Sequence, residues 1–513
     1  MDRLTLPKGE RRGEESSHVT RMAEAPAAEY AHIAAPPLWC AVLNNDMRRV
    51  KRFLAAKPGS TVWCSFDINE IGGIDRNTPL HCAVRRKDLD MIEILLTHPD
   101  INVNAKDILG EPPLFDCVAV CTSLQDMDII KKLLQHGATT DSVDLQGNTV
   151  IHCATYDGNS AVLEFFLKLG LNVMALNNFN STALHLSSRL DIVTLLVDAG
   201  FDVNARNGRG NTALHLSVLR ATNVLDTLEF LLKNGANVEA KNVDGYTPLY
   251  FATNSFTIDF LLDSGANVNT QIYDGETILH HMVLEETDLN LVDIVIARGV
   301  DVNIKNNCGE TALYFSNFFD TSLCLLDAGA MLSVQDNTGA TVLHQFVDKE
   351  IHVDTISLII ARGVDVNVKN NCGETALHLT TDFETGVCLL KSGAQYNATD
   401  DKGYTPLHMA CKRGNEQLAM TFLQWGADPF ARTNAGHTPE DVAIFEYHGL
   451  DNNELAMAMN AVTERIERLL AFGMAGQSRL GVNSLAGVLV GVSEIFRIVA
   501  DPEYVGTNAV IEL

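Results

Sequence analysis

From about residue 36 to residue 450, apolar blocks at helical spacing alternate with short polar stretches that contain glycine. In the block Ile192-Val-Thr-Leu-Leu-Val197, the residues Val193, Leu196 and Val197 share one side of a 3.6-residue turn. That spacing predicts a helix with one buried face. Upstream of such blocks stands a tetrapeptide: Thr78-Pro-Leu-His81, Thr182-Ala-Leu-His185, Thr212-Ala-Leu-His215, Thr375-Ala-Leu-His378 and Thr405-Pro-Leu-His408. Threonine is a good N-cap and proline suits the first helical position, so Thr405-Pro406 predicts the start of another helix. Gly200, Gly235, Gly265, Gly329 and Gly393 follow the second helix, where a left-handed cap is wanted. A polar hairpin then leads to another glycine before the next threonine. Asn180 replaces that glycine in one unit, and asparagine is the least costly substitute there.

Looser copies of the tetrapeptide occur at Thr149–His152, Thr247–Tyr250, Thr277–His280, Thr311–Tyr314 and Thr341–His344. Degenerate copies are Pro36–Trp39, Pro112–Phe115 and Thr438–Asp441, which makes thirteen units. A helix pair of this size cannot bury its own apolar face, so neighbours must stack into a solenoid. The motifs and their period resemble the ankyrin-repeat family. The resemblance implies an all-α solenoid of stacked helix pairs with β-hairpin projections. The expected organisation is a flexible lead-in over 1–35, the array over 36–450 and a short helical appendage over 451–513. Two apolar stripes predict that appendage, one within Asn453–Phe472 and one from Leu485 to Val499.

The repeats alternate in length. From His152 onward the intervals between fourth positions run 33, 30, 35, 30, 34, 30, 34, 30 and 33. The distance from Thr to the capping Gly is 18 residues in the units at Thr182, Thr247, Thr311 and Thr375, and 21 to 23 in the units between them. The missing residues lie between the two helices, so one helix of each short unit should lose about a turn. Ala297–Leu313 and Ala361–Leu377 match at 16 of 17 positions, which points to duplication of a two-repeat block.

Charge narrows the partners. The chain has 38 basic and 65 acidic residues, a net charge of −27, most of it on the array. That argues against phosphate backbones and anionic lipid, and favours a protein partner with a basic surface. No apolar run approaches the ~18 residues of a membrane span. The eleven cysteines lack framework spacing and the N-terminus lacks an apolar core, so a reducing compartment is expected. That means the cytoplasm, with the nucleus left open.

Eight histidines fill the fourth motif position: His81, His152, His185, His215, His280, His344, His378 and His408. At one per repeat they would stand roughly 10 Å apart, too far to share a metal at ~2 Å bonds. The resemblance implies that each bonds its own threonine and the neighbouring backbone. The zinc-protease, nucleophile-elbow and P-loop signatures are absent, and no enzyme activity or cofactor is expected. Gly208-Arg-Gly210 mimics a dinucleotide fingerprint but lies in a hairpin. Cys117 and Cys121 read as core thiols, and Cys308 and Cys372 as loop residues copied by duplication, with exposed reactive thiols as the alternative. The candidate protein-binding residues are Ile108, Leu109, Phe179, Tyr246, Tyr273 and Tyr404, large groups near hairpin tips, where aromatics favour interface hot spots. The resemblance adds the concave face of the first helices. The chain thus reads as a noncatalytic interaction scaffold or adaptor. The alternatives are a masking inhibitor of a basic partner, or a ubiquitin-ligase substrate receptor that recruits through its C-terminal helices.

Overall fold

The computed structural model describes residues 37–55, 67–121, 126–220 and 225–446. The lead-in, the Asn453–Phe472 helix and the Leu485–Val499 stripe lie outside the described residues. The chain forms two compact units, one up to Asn267 and one from Val268.

In both units a first helix, a reversal and a second helix recur, and each pair is followed by a turn-rich projection. Long repeats have first helices such as Val150–Tyr156 and Ala213–Arg220 in the first unit, and Ile278–Leu284, Val342–Asp348 and Pro406–Lys412 in the second. In the short repeats the first helix is a single turn: Ala183–Leu186, Pro248–Phe251, Ala312–Phe315 and Ala376–Leu379. From Ser160 onward second helices keep nine residues in long and short repeats alike, as in Ser160–Lys168, Leu190–Asp198, Phe319–Asp327 and Val353–Ala361. The missing turn therefore comes from the first helix.

Threonine starts these helices as expected. At Thr78 and Thr405 the extended backbone and the side-chain oxygen cap the first turn, and proline occupies the next position. Second helices are started by Asp88, Asn159, Asn254, Asp288, Asp382 or Asn415, each accepting from an N–H of the first turn. The core runs between the helices of each unit. Leu80, Ile92, Leu114, Ile130, Phe166 and Leu196 are fully buried in the first unit, and Leu325, Ile356, Leu389 and Phe422 in the second.

The projections are turns rather than paired strands. Among the described residues only two isolated bridges occur, Gly72 with Asn77 and Gln335 with Thr341. The first residue of each turn closes it: Asp107 Oδ1 accepts from the N–H groups of Leu109 and Glu111 at 2.8 and 3.0 Å. Asn180 adopts φ 53°, the left-handed conformation that glycine takes in the sister turns.

Candidate protein-binding surface

Successive turn tips are tied together by one repeated main-chain bond. In the first unit Ile108 N donates to Asp75 O, Leu145 N to Leu109 O, Asn178 N to Gln146 O, Gly208 N to Phe179 O and Val243 N to Arg209 O, at 2.8 to 3.0 Å. Because the backbone is held this way, the side chains at the tips are left to face water. Ile74, Ile108, Leu109, Leu145, Phe179 and Val243 are all exposed there, with Leu145 at 69% and Phe179 at 62%. That is an apolar row on a fixed backbone, in a class of position where a soluble protein normally places polar groups.

The second unit has the same ladder with different chemistry. Asn307 N, Asn337 N and Asn371 N donate to Asp274 O, Cys308 O and Thr338 O. Their side-chain amides add bonds to Tyr273 O, Asn307 O and Asn337 O at 2.8, 2.8 and 3.1 Å. Asparagine thus stitches each tip to its neighbour. Tyr273 begins this series and is exposed. Cys308 and Cys372 are exposed at two of these tips, whereas Cys117 and Cys121 are buried.

The six residues singled out from sequence are not equivalent. Ile108, Leu109 and Phe179 belong to the apolar row, and Tyr273 to the second unit's tips. Tyr246 and Tyr404 stand at the base of their turns and are half-buried. The Tyr246 ring lies 5.1 Å from Tyr250 and 6.0 Å from Phe251, and Tyr404 lies 5.8 Å from His408 with Lys412 Nζ over its face at 5.5 Å. Ile74, Leu145 and Val243 were missed. Leu145 and Val243 stand two residues before the turn glycine, as Ile108 and Tyr273 do, and that register would have found them.

The histidines form internal struts. In the repeat at Thr182, His185 Nδ1 accepts from Thr182 N at 3.1 Å and lies 2.9 Å from Thr182 Oγ1. Its Nε2 then carries the proton and donates to carbonyl oxygens of the following turn, Ala205 and Asn211. The same bridge runs from His81 to Glu111, His152 to Ser181, His215 to Tyr246, His280 to Glu310, His344 to Glu374, His378 to Tyr404 and His408 to His437. Burial lowers the pKa of His152, His185, His280, His344, His378 and His408, and takes His215 to about 4. Tyr314 fills the slot in another repeat and keeps the bridge: its Oη lies 2.7 and 2.8 Å from the oxygens of Val334 and Ala340. At the last repeat Asp441 Oδ2 accepts from Thr438 N and Oγ1 instead. Among the described residues no group of His, Cys, Asp and Glu side chains could hold a metal. No helix among them is long and apolar enough to cross a membrane.

Helix pairs tied through a Thr–His bridge to the next turn are the unit described by sequence profiles of the ankyrin repeat. The profile described as "Ankyrin repeat" matches residues 75–108, "Ankyrin repeats (3 copies)" matches 114–207 and 189–272, and "Ankyrin repeats (many copies)" matches 381–425. The chain is an ankyrin-repeat protein. Ankyrin repeats generally mediate protein–protein interaction, and proteins built from them are in general noncatalytic. This ankyrin-repeat chain is 32% identical over 184 residues to the nuclear factor NF-kappa-B p105 subunit of Gallus gallus, a match over 34% of the chain and 18% of that relative. It is 29% identical over 189 residues to the B-cell lymphoma 3 protein homolog of Mus musculus, over 35% of the chain and 41% of the relative. The match spans less than half the length of either. The crystal structure of the ankyrin repeat domain of Bcl-3 aligns with 49% of the chain and 99% of its own length at 27% identity, with a TM-score of 0.35.

Proposed function

We propose that this ankyrin-repeat chain is a noncatalytic scaffold or adaptor that holds a partner protein against the turn tips of its first unit. One observation carries the reading: Ile74, Ile108, Leu145, Phe179 and Val243 expose apolar side chains from tips whose backbones are fixed by the inter-repeat ladder. A preorganised apolar row loses little entropy on binding, and large side chains of this kind anchor interfaces. The net charge of −27 favours a partner with a basic surface. Nucleic acid and membrane surfaces are disfavoured by the same charge, and the reading places the protein in the cytoplasm or nucleus.

The test is affinity capture with the full chain beside a variant carrying Ile108→Ala, Leu145→Ala and Phe179→Ala. The variant should melt at the parent temperature, because the three side chains face water, yet lose its specific partners. Identical capture by both chains overturns the tip reading. Association rates that do not change between low and high salt show that the charge does not steer the partner.

A further inference from the structure

The length alternation shapes a second surface, on the reversal between first and second helices rather than on the turn tips. In the second unit the single-turn helix Ala312–Phe315 is flanked by the longer first helices Ile278–Leu284 and Val342–Asp348. The short repeat is therefore recessed by about one turn between two projecting neighbours. Its reversal carries two consecutive exposed aromatics, Phe318 at 56% and Phe319 at 42%. Between them and the start of the next second helix lies an open groove of about 830 Å³, lined also by His352, Thr355 and Leu358.

Local stability does not account for these residues. Phe318 is the N-cap of the second helix Phe319–Asp327 and supplies no side-chain cap bond. The duplicated repeat 64 residues later has Asp382 at that position, and Asp382 caps Thr385 N at 2.8 Å. Phenylalanine at 318 thus forgoes a cap that its own copy retains, and faces solvent in exchange.

The rim of the recess is acidic. Glu285 and Glu286 project on one side, Asp348 and Glu350 on the other, and all four are exposed. Glu286 and Glu350 adopt φ 53° and 54°, at a position where Gly158 and Gly414 stand in other long repeats. Each accepts a bond from the next reversal, from Asn317 Nδ2 at 3.3 Å and from Thr381 Oγ1 at 2.8 Å. Asp320 and Asp354 add exposed carboxylates at the starts of the two second helices. Among the described residues of this rim, the Lys349 Nζ already donates to Tyr314 O and lies over Phe315, and the His352 ring stands 3.3 Å from Asp354.

We infer that the recess at Phe318 and Phe319 binds a basic amphipathic segment of a partner protein. Its apolar side chains would lie against the two rings, and its lysines or arginines would meet the rim carboxylates. Charge complementarity selects this occupant, since an acidic segment would meet six rim carboxylates. The inference rests on the reading of the chain as a protein-binding module, but it uses a different edge from the turn tips.

The probe is a fluorescein-labelled 18-residue leucine–lysine amphipathic peptide, titrated by anisotropy against the full chain. A leucine–glutamate peptide and an oligolysine of equal length serve as comparisons. The leucine–lysine peptide should bind best and weaken with salt. Phe318→Asp should reduce its affinity by about tenfold, as loss of an aromatic anchor does. The same substitution restores the cap and adds a negative charge, so its melting temperature should be unchanged or higher. Lost binding in that variant is then neither unfolding nor weaker charge attraction. Equal affinity of Phe318→Asp and parent, or of oligolysine and the amphipathic peptide, overturns the inference. The Ile108→Ala, Leu145→Ala, Phe179→Ala variant should bind the peptide as the parent does; if it alone loses the peptide, the tips are the site and the recess is not.

Discussion

Arg85 Nε donates to Asp116 Oδ1 across 2.7 Å, joining the first helices of consecutive repeats. The same guanidinium reaches Asp107 Oδ2 at 3.2 Å and Asp75 Oδ2 at 3.6 Å. Asp107 and Asp116 are both buried, so one cation answers two buried carboxylates. Burial raises the pKa of Asp116, and the adjacent Arg85 opposes that rise.

Removing the cation should therefore cost more than an ordinary surface pair. Arg85→Met is expected to destabilise the first unit by about 3 kcal/mol, because the carboxylates stay buried without their partner. The double variant with Asp116→Leu should recover part of the loss. Urea unfolding of the single and double variants checks both statements; equal stability of Arg85→Met and the parent would show the pair to be dispensable.

Glu111 lies buried beside this cluster, and burial, reinforced by Asp107 and Asp116, pushes its pKa up to about 8. Its folded pKa is thus above its ordinary value. The contribution to stability is full below about pH 4.5 and is lost as pH rises through about 8. Glu111→Gln mimics the protonated form. Its melting temperature should match the parent's near pH 4, exceed it already at pH 6 and exceed it most at pH 9, as read by circular dichroism.

The repeat histidines work in the other direction. Seven of them have lowered pKa values, chiefly through burial, and each bridge uses the neutral ring as both acceptor and donor. A depressed pKa gives stability that is present above about pH 6.5 and is lost as pH falls toward the folded value. For His215, at about 4, the difference is on the order of 3 kcal/mol. Stability should fall steeply between pH 6.5 and 4.5, and a flat profile over that range in urea titrations would show that the rings are not held neutral.

Tyr314 takes the histidine's place and keeps the bridge through its hydroxyl. Tyr314→Phe leaves two carbonyl oxygens without that donor and should cost about 1–2 kcal/mol. Tyr314→His should recover most of it, since Thr311 is retained to hold Nδ1. Thermal melts of the two variants distinguish a bridge from simple filling of space, which would leave Tyr314→Phe the better tolerated.

How much of this was legible depends on the range of the interactions. The threonine caps, the histidine slot, the glycine positions and the alternation of long and short repeats follow from periodicity, because helix starts and turns are set by residues three or four apart. Sequence spacing located the deletion between the two helices of each short repeat without saying which helix yields. The fold decided this: from Ser160 onward second helices keep nine residues, and the first helix shrinks to one turn. The tips were half readable. Phe179 and Ile108 stood out as large apolar groups near turns, but Tyr246 and Tyr404 did too, and their rings lie back on their own first helices. Side chains one or two positions before the turn glycine reach the tip and those one position after it lie at the base, so register rather than residue type picks out Leu145 and Val243. Arg85 was silent in the sequence for a related reason. Its partners lie 10, 22 and 31 residues away and meet only when two repeats stack, so burial by the neighbouring repeat, rather than local spacing, created the charge cluster.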